Sequence, residues 1–254
     1  MNYKNTKHKT HSNSRYKGYP VLSQQGPLLK NCLKAIFKTL KKATDEYPRS
    51  CAIRFDLKLP DYLADIDSAV ISRFTEALKY LIKQDLNNKR KANNRVHKCQ
   101  LRYVWAREIS ENAEVPKPHY HVLILLNKDA YNCVGKYDAL DGNMAARIKR
   151  AWASALKIAL SEIGGLVYFP DNCLYILIKK SDKSDKSDKS DKSDKSDKSD
   201  KSDKSDKSDK SDKSDKSNDF DKIFPKLMKR TSYFAKVATK EFNGRTNSFG
   251  YSQK

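Results

Sequence analysis

No stretch of this sequence approaches the ~18 to 20 consecutive apolar residues that cross a bilayer, and the N-terminus has no apolar core of the signal-peptide kind. No membrane role is expected. Cysteine is sparse and has no pairing pattern: Cys32, Cys51, Cys99, Cys133 and Cys173 are odd in number, widely spaced and without a C-x-x-C pair. That argues against a disulfide framework or a zinc knuckle and for a reducing compartment, the cytoplasm, with most of the thiols buried as small apolar groups. No G-x-x-x-x-G-K-[ST] occurs, so any unwinding of nucleic acid must come from a separate helicase.

Negative charge is missing from the first part of the chain. From Met1 to Thr44 there is no acidic residue, while Lys4, Lys7, Lys9, Arg15, Lys17, Lys30, Lys34, Lys38, Lys41 and Lys42 are cationic. Over the whole chain Lys plus Arg number 52 against 31 Asp plus Glu, a net charge of +21. A field of one sign suits a polyanion, and nucleic acid is the common one, because neutralising its phosphates releases condensed counterions. Residues 1–25 read as a basic, disordered arm.

A second segment has no apolar side chain at all. Ser-Asp-Lys repeats without interruption from Ser181 to Lys216, and with nothing to bury it reads as a low-complexity insertion, 181–217, in a surface loop. It carries as many Asp as Lys, so the basic character belongs to the rest of the chain, which is read as a single domain over residues 26–180 and 218–254.

Outside the tract the texture is globular. Gly26 to Thr44 is spaced as an amphipathic helix, Cys51 to Leu59 alternates as a half-buried strand ending at Pro60, and Ile66 to Leu86 returns to helical period. A polar loop, Asn87 to Lys98, leads to two β-rich runs, Cys99 to Ile109 and His119 to Asn127, joined as a hairpin. Met144 to Ile163 predicts a helix closed by Gly164 and Gly165, Cys173 to Ile178 a strand, and Asp219 to Lys240 a helix with Pro225 in its first turn or at a kink. The order implies an α+β fold: a mainly antiparallel sheet with packed helices, close to the ferredoxin-like split βαβ pattern.

Pro118-His119-Tyr120-His121 opens the most apolar strand. Alternation puts His119 and His121 on one face, about 6 to 7 Å apart, able to converge on one metal ion. In a symmetric hairpin Glu108 falls opposite His119 on that face and supplies a carboxylate, unless it is a strand-end charge or a partner of Arg107 or Arg102. Two imidazoles and a carboxylate leave positions for water and phosphate, which favours Mg²⁺ or Mn²⁺. On a helix, Lys229, Tyr233, Lys236 and Lys240 share one face, so Tyr233 reads either as a packing residue or as a phenol poised among ammonium groups and near a metal, both of which favour the phenolate.

Taken together, Phe55-Asp56-Leu57-Lys58-Leu59-Pro60, Trp105-Ala106-Arg107-Glu108, Pro118 to Asn127, Ser232-Tyr233-Phe234-Ala235-Lys236 and the ending Asn247-Ser248-Phe249-Gly250 resemble the inovirus-type replication endonucleases and their prophage-encoded YagK/YfjJ-like relatives. These are similar to the broad class named for a histidine, hydrophobic residue, histidine (HUH) motif. The resemblance implies a nicking and joining enzyme of bacterial cytoplasm that cuts single-stranded DNA at a replication origin, leaves Tyr233 on the 5′-phosphate, and frees a 3′-hydroxyl for a host polymerase, with a host helicase unwinding the duplex. It implies His119 and His121 as metal ligands, Glu108 as a third, and Lys236 as the lysine beside the nucleophile. Arg54, Lys58, Lys89, Arg90, Lys91, Lys229 and Lys240 are the expected DNA contacts. A transposase or mobilisation nickase would share this chemistry; a non-catalytic nucleic-acid-binding module would share only the charge.

Shortening Ser181–Lys216 to about six polar residues should leave thermal stability intact or slightly raised, since the longer loop costs only about 1.6 kcal/mol more to close. A large fall in melting temperature would show that the tract is structural.

Overall fold

The computed structural model describes residues 9–63, 69–109, 118–179, 219–238, 240 and 247–253. The Ser-Asp-Lys insertion, the loop joining the predicted hairpin and the predicted helix start at Ile66 lie outside them. Among the described residues no helix is long and apolar enough to cross a membrane.

The fold is α+β. Four helices, α1 (Lys30–Glu46), α2 (Val70–Lys91), α3 (Met144–Leu156) and α4 (Phe220–Ser232), pack on a six-stranded sheet. Its strands are β1 (Arg49–Leu57), β2 (Arg102–Ile109), β3 (Pro118–Asn127), β4 (Val167–Tyr168), β5 (Leu174–Ile178) and β6 (Phe249–Tyr251). They lie in the order β6-β2-β3-β1, with β4 and β5 both pairing the free side of β1, and every one of these ladders is antiparallel. Sequence periodicity did not anticipate β4 and β6, which are too short to carry a pattern of their own.

Both faces of the sheet are covered. Tyr120, Val122, Ile124 and Leu126 of β3 join Phe55, Phe74 and Trp152 in a core under α2 and α3; Leu123 and Leu125 join Leu33, Ile36, Phe224 and Leu227 in a second core under α1 and α4. A strand buried on two sides has no polar face, which is why β3 reads as an unbroken apolar run rather than an alternation. Three of the free thiols, Cys32, Cys51 and Cys173, are buried in these layers, while Cys99 is half-buried and Cys133 exposed.

Several helix ends depart from the sequence reading. α1 starts at Lys30, not Gly26, because Leu28–Leu29 pairs with Thr10–His11 as a strand. α2 runs on to Lys91 through what was expected to be a loop: Lys89 pairs with Asp85 one turn back at 2.8 Å, and the basic residues of the last turn complement the helix dipole. α3 stops at Leu156, not Ile163. Lys157 turns left-handed (φ 60°, ψ 40°), and the N–H groups of Lys157 and Ile158 close on the carbonyls of Ser154 and Ala153, so a non-glycine residue makes the cap. A separate 3₁₀ turn, Leu160–Ile163, follows. α4 stops at Ser232, with Pro225 in its second turn, and Tyr233–Ala235 form a 3₁₀ turn.

The arm is also not disordered from Lys9 onward. Thr10–His11 pairs with Leu28–Leu29, and Arg15–Tyr16 pairs with Tyr19–Pro20. Tyr19 packs edge-on to Phe224 at 4.8 Å, and Lys17 lies over the Phe37 ring at 4.8 Å. Counting charges overlooked the aromatic side chains, which have apolar area to bury and hold the arm down.

At one edge of the six-stranded sheet, β6 is held against β2 by a close approach: a Cβ added at Gly250 would lie 2.5 Å from the Trp105 indole. Gly250→Ala should therefore lower stability by about 1 to 3 kcal/mol through overpacking. Thermal unfolding measures this, and an unchanged melting temperature would show that β6 is not clamped there.

Candidate metal and nucleophile site

The site lies where three adjacent strands end together on the α1/α4 face. Glu108 pairs directly with His119 across the β2/β3 ladder, and Asp56 pairs with His121 across the β1/β3 ladder. Because side chains alternate, Arg54, Asp56, Glu108, His119 and His121 all project to the same side. Potential ligand atoms of Glu108, His119 and His121 lie within 4.8 Å of one another. The imidazole rings of the two histidines are 4.9 Å apart and nearly perpendicular. Two nitrogens and one carboxylate oxygen at this spacing are a donor set that fits a divalent ion such as Mg²⁺ or Mn²⁺ with coordination positions left over.

His121 is oriented from both sides. Its Nε2 is 3.2 Å from Glu108 Oε2, and its Nδ1 is 2.6 Å from Asp56 Oδ1. Burial opposes protonation of this ring, but the hydrogen bonds to Asp56 and Glu108 outweigh it and raise its pKa. His119 goes the other way: burial, then the neighbouring His121, lowers its pKa. Asp56 in turn holds Arg54 at 3.1 Å. A carboxylate behind a metal-facing imidazole fixes its tautomer and raises its basicity. Asp56 was read in the sequence only as a polar position of β1, since its role depends on a register that no local turn sets.

Tyr233 arrives from the other layer. The turn after α4 stacks Phe234 on His121 with ring centroids 5.9 Å apart, and the Tyr233 hydroxyl donates to Glu108 Oε2 at 3.1 Å. Burial, then the Glu108 charge, pushes the phenol pKa up to about 12, with Arg54 the cation that opposes this. The expectation of a lysine-rich helical face favouring the phenolate is thus corrected. A divalent cation on Glu108 would reverse the sign of that local field.

The backbone of Lys236 is extended (ψ 132°) and bridges to Leu28, so Lys236 is not one α-helical turn on from Tyr233; its ammonium lies over the Tyr233 ring, 5.6 Å from the centroid. Lys240 is not a surface DNA contact either: its side chain is 1% exposed and its ammonium is 3.7 Å from Glu108 Oε1. Arg54 is mostly buried in the wall of the site. Lys58 is exposed at the end of β1, close enough that its charge acts on His119. Lys229 is exposed on α4. Lys89, Arg90 and Lys91 end α2, which runs from the site end of β1 back to the start of β2; Arg90 shares a groove there with Tyr47, Lys98 and Leu101. These three are remote from the histidines. Of the other tyrosines near the matched motifs, Tyr120 is buried on the α2/α3 face against Trp105 and Trp152, and Tyr251 lies on the edge strand β6.

If Asp56 orients His121, Asp56→Asn should weaken Mn²⁺ binding by about 10- to 100-fold without unfolding the protein. Calorimetric titration of Mn²⁺ tests this, and an unchanged affinity would remove Asp56 from the site.

Comparison with known proteins places the chain in a family. The YagK/YfjJ C-terminal domain family matches residues 10–192. The uncharacterized protein YagK of Escherichia coli strain K12 is 32% identical over 227 residues, covering 86% of this chain and 90% of its own length. The uncharacterized protein YfjJ of the same strain is 29% identical over 229 residues, covering 86% and 91%. No solved structure matches the chain. With most of its length matched both by the family and by these relatives, the chain belongs to the YagK/YfjJ C-terminal domain family.

Proposed function

We propose that the protein is a metal-dependent DNA endonuclease and strand transferase of the HUH type, with Tyr233 as its nucleophile. The observation that carries this reading is the contact of the Tyr233 hydroxyl, 3.1 Å from Glu108, with a carboxylate that belongs to a three-residue metal-type cluster. The half-buried Tyr233 packs edge-on to the His121 ring and so presents its oxygen at the cluster rather than to open solvent. Apart from the two-residue β4 between α3 and β5, the chain runs β1-α2-β2-β3-α3-β5 with α2 and α3 on one face, an order in keeping with the split βαβ pattern expected of this reading.

In this mechanism Glu108, His119 and His121 would hold Mg²⁺ or Mn²⁺, which when bound supplies Lewis-acid polarisation of a phosphodiester oxygen. Tyr233 Oη attacks phosphorus, forming a phosphotyrosine bond as the bond to the 3′-oxygen breaks. The phenolic proton passes to water, and the departing 3′-oxygen takes up a proton from water to become a hydroxyl, so that Glu108 stays a carboxylate throughout. Phe234, stacked on His121, fixes the turn that presents the phenol. Lys58 and Lys229, exposed around the site, attract the DNA backbone, and Lys236 adds positive charge beside the nucleophile. The substrate of this reading is single-stranded DNA at a replication origin, served by host helicase and polymerase in the bacterial cytoplasm.

Incubating the protein with single-stranded DNA and Mn²⁺ should yield a covalent adduct on a denaturing gel, mapped to Tyr233 by mass spectrometry. Tyr233→Phe removes one oxygen and should abolish the adduct while DNA affinity changes by less than about threefold. Chelation should stop cleavage and leave most of the binding, because Lys and Arg neutralise phosphates without the ion. Intact DNA under all conditions would favour a binding module instead, and an adduct on Tyr120 or Tyr251 would overturn the assignment.

A further inference from the structure

The two oxygens of Glu108 have different neighbours. Oε2 faces His121 Nε2 at 3.2 Å and the Tyr233 hydroxyl at 3.1 Å, whereas Oε1 faces the ammonium of Lys240 at 3.7 Å. Both side chains of this last pair are nearly sealed from water, 1% exposed for Lys240 and 3% for Glu108. The Lys240 ammonium has no hydrogen-bond partner among the described residues. An ammonium at that depth is expensive to bury, and the group it is aimed at is one oxygen of a metal-type carboxylate. The reaction proposed above makes no use of it.

We propose that Lys240 is a positioning residue that engages Glu108 Oε1, restricts Glu108 to one-oxygen binding, and so makes the site discriminate against large divalent cations. Ca²⁺ gathers about six to eight oxygens, often taking both oxygens of a carboxylate, whereas Mg²⁺ and Mn²⁺ suit near-octahedral sites with one oxygen per carboxylate. With Oε1 engaged by the ammonium, Glu108 offers Oε2 alone beside the imidazoles. The charge of Lys240 repels all divalent ions alike, since they carry the same charge, so it shifts every affinity together. Its hold on Oε1 acts on the ratio of affinities. That ratio is the quantity that separates a positioning role from a merely structural or electrostatic one.

The inference rests on the metal reading of the cluster, and one set of titrations distinguishes the two. Mn²⁺ and Ca²⁺ are titrated calorimetrically into the full-length, metal-free protein and into Lys240→Met and Lys240→Gln, neutral side chains of which Met is suited to a buried site and Gln is too short to engage Oε1. The wild type should bind Mn²⁺ at least about tenfold more tightly than Ca²⁺, and both variants should bind both ions more tightly, with Ca²⁺ gaining about tenfold more than Mn²⁺. Thermal unfolding confirms that each variant is folded, and either one alone suffices for the comparison. Equal gains for the two ions, or no gain, would overturn the role of Lys240 while leaving the metal site standing. A wild type that binds neither ion would overturn the metal site and this proposal with it.

Discussion

A carboxylate 2% exposed to solvent governs the architecture at one end of this protein. Glu108 has lost its water and must be satisfied by side chains, and those that reach it come from separate parts of the chain: His121 from β3, Tyr233 from the turn after α4, and Lys240 from beyond that turn. Leaving such a group unpaired would cost roughly 3 to 5 kcal/mol, a large share of the stability of a single domain. The same need that draws these donors together creates a cluster in which a phenol, two imidazoles and a carboxylate share one small volume. The cluster that satisfies the buried carboxylate is also the one on which the proposed metal site and nucleophile rest.

The sheet can carry this site because it is covered on both faces. Core residues Val104, Ala106 and Leu123 lead straight up the α1/α4 face to Glu108 and His121, so the polar cluster sits at the end of a close-packed apolar layer rather than on an open surface. Phe234 completes that layer by stacking on His121. Burial lowers the pKa of His119, whereas on His121, its neighbour on the strand, the hydrogen bonds to Asp56 and Glu108 outweigh burial, so the two rings are shifted in opposite directions.

The Tyr233 turn is in turn held by the N-terminal segment. The backbone N–H of Leu22 donates to Ser232 Oγ at 2.9 Å, that of Val237 donates to Pro27 at 3.1 Å, and Leu28 bridges to Lys236. Residues 22–28 thus fix the position of a phenol more than two hundred residues later. Helix α4 gives way to the Tyr233–Ala235 3₁₀ turn inside the segment that these contacts hold.

Local spacing by itself determined the α+β class, the pairing of Glu108 with His119 and the shared face of the two histidines. A strand's side chains alternate with a period of two, and a hairpin's register follows from its own two arms, so both are written in short stretches of sequence. It also picked out Tyr233 as a residue to watch, though for a wrong reason, a helical face of lysines that does not exist. Only the tertiary structure decided the rest. Asp56 came to His121 through a pairing of strands more than sixty residues apart. The left-handed Lys157 ended α3 inside an uninterrupted apolar period, and aromatic packing ordered the basic arm. Lys240, a surface cation by composition, became the buried neighbour of Glu108. Each of these turns on which distant group a side chain meets, and the free energy of a buried charge or a capped helix end depends on that partner rather than on the neighbours in sequence.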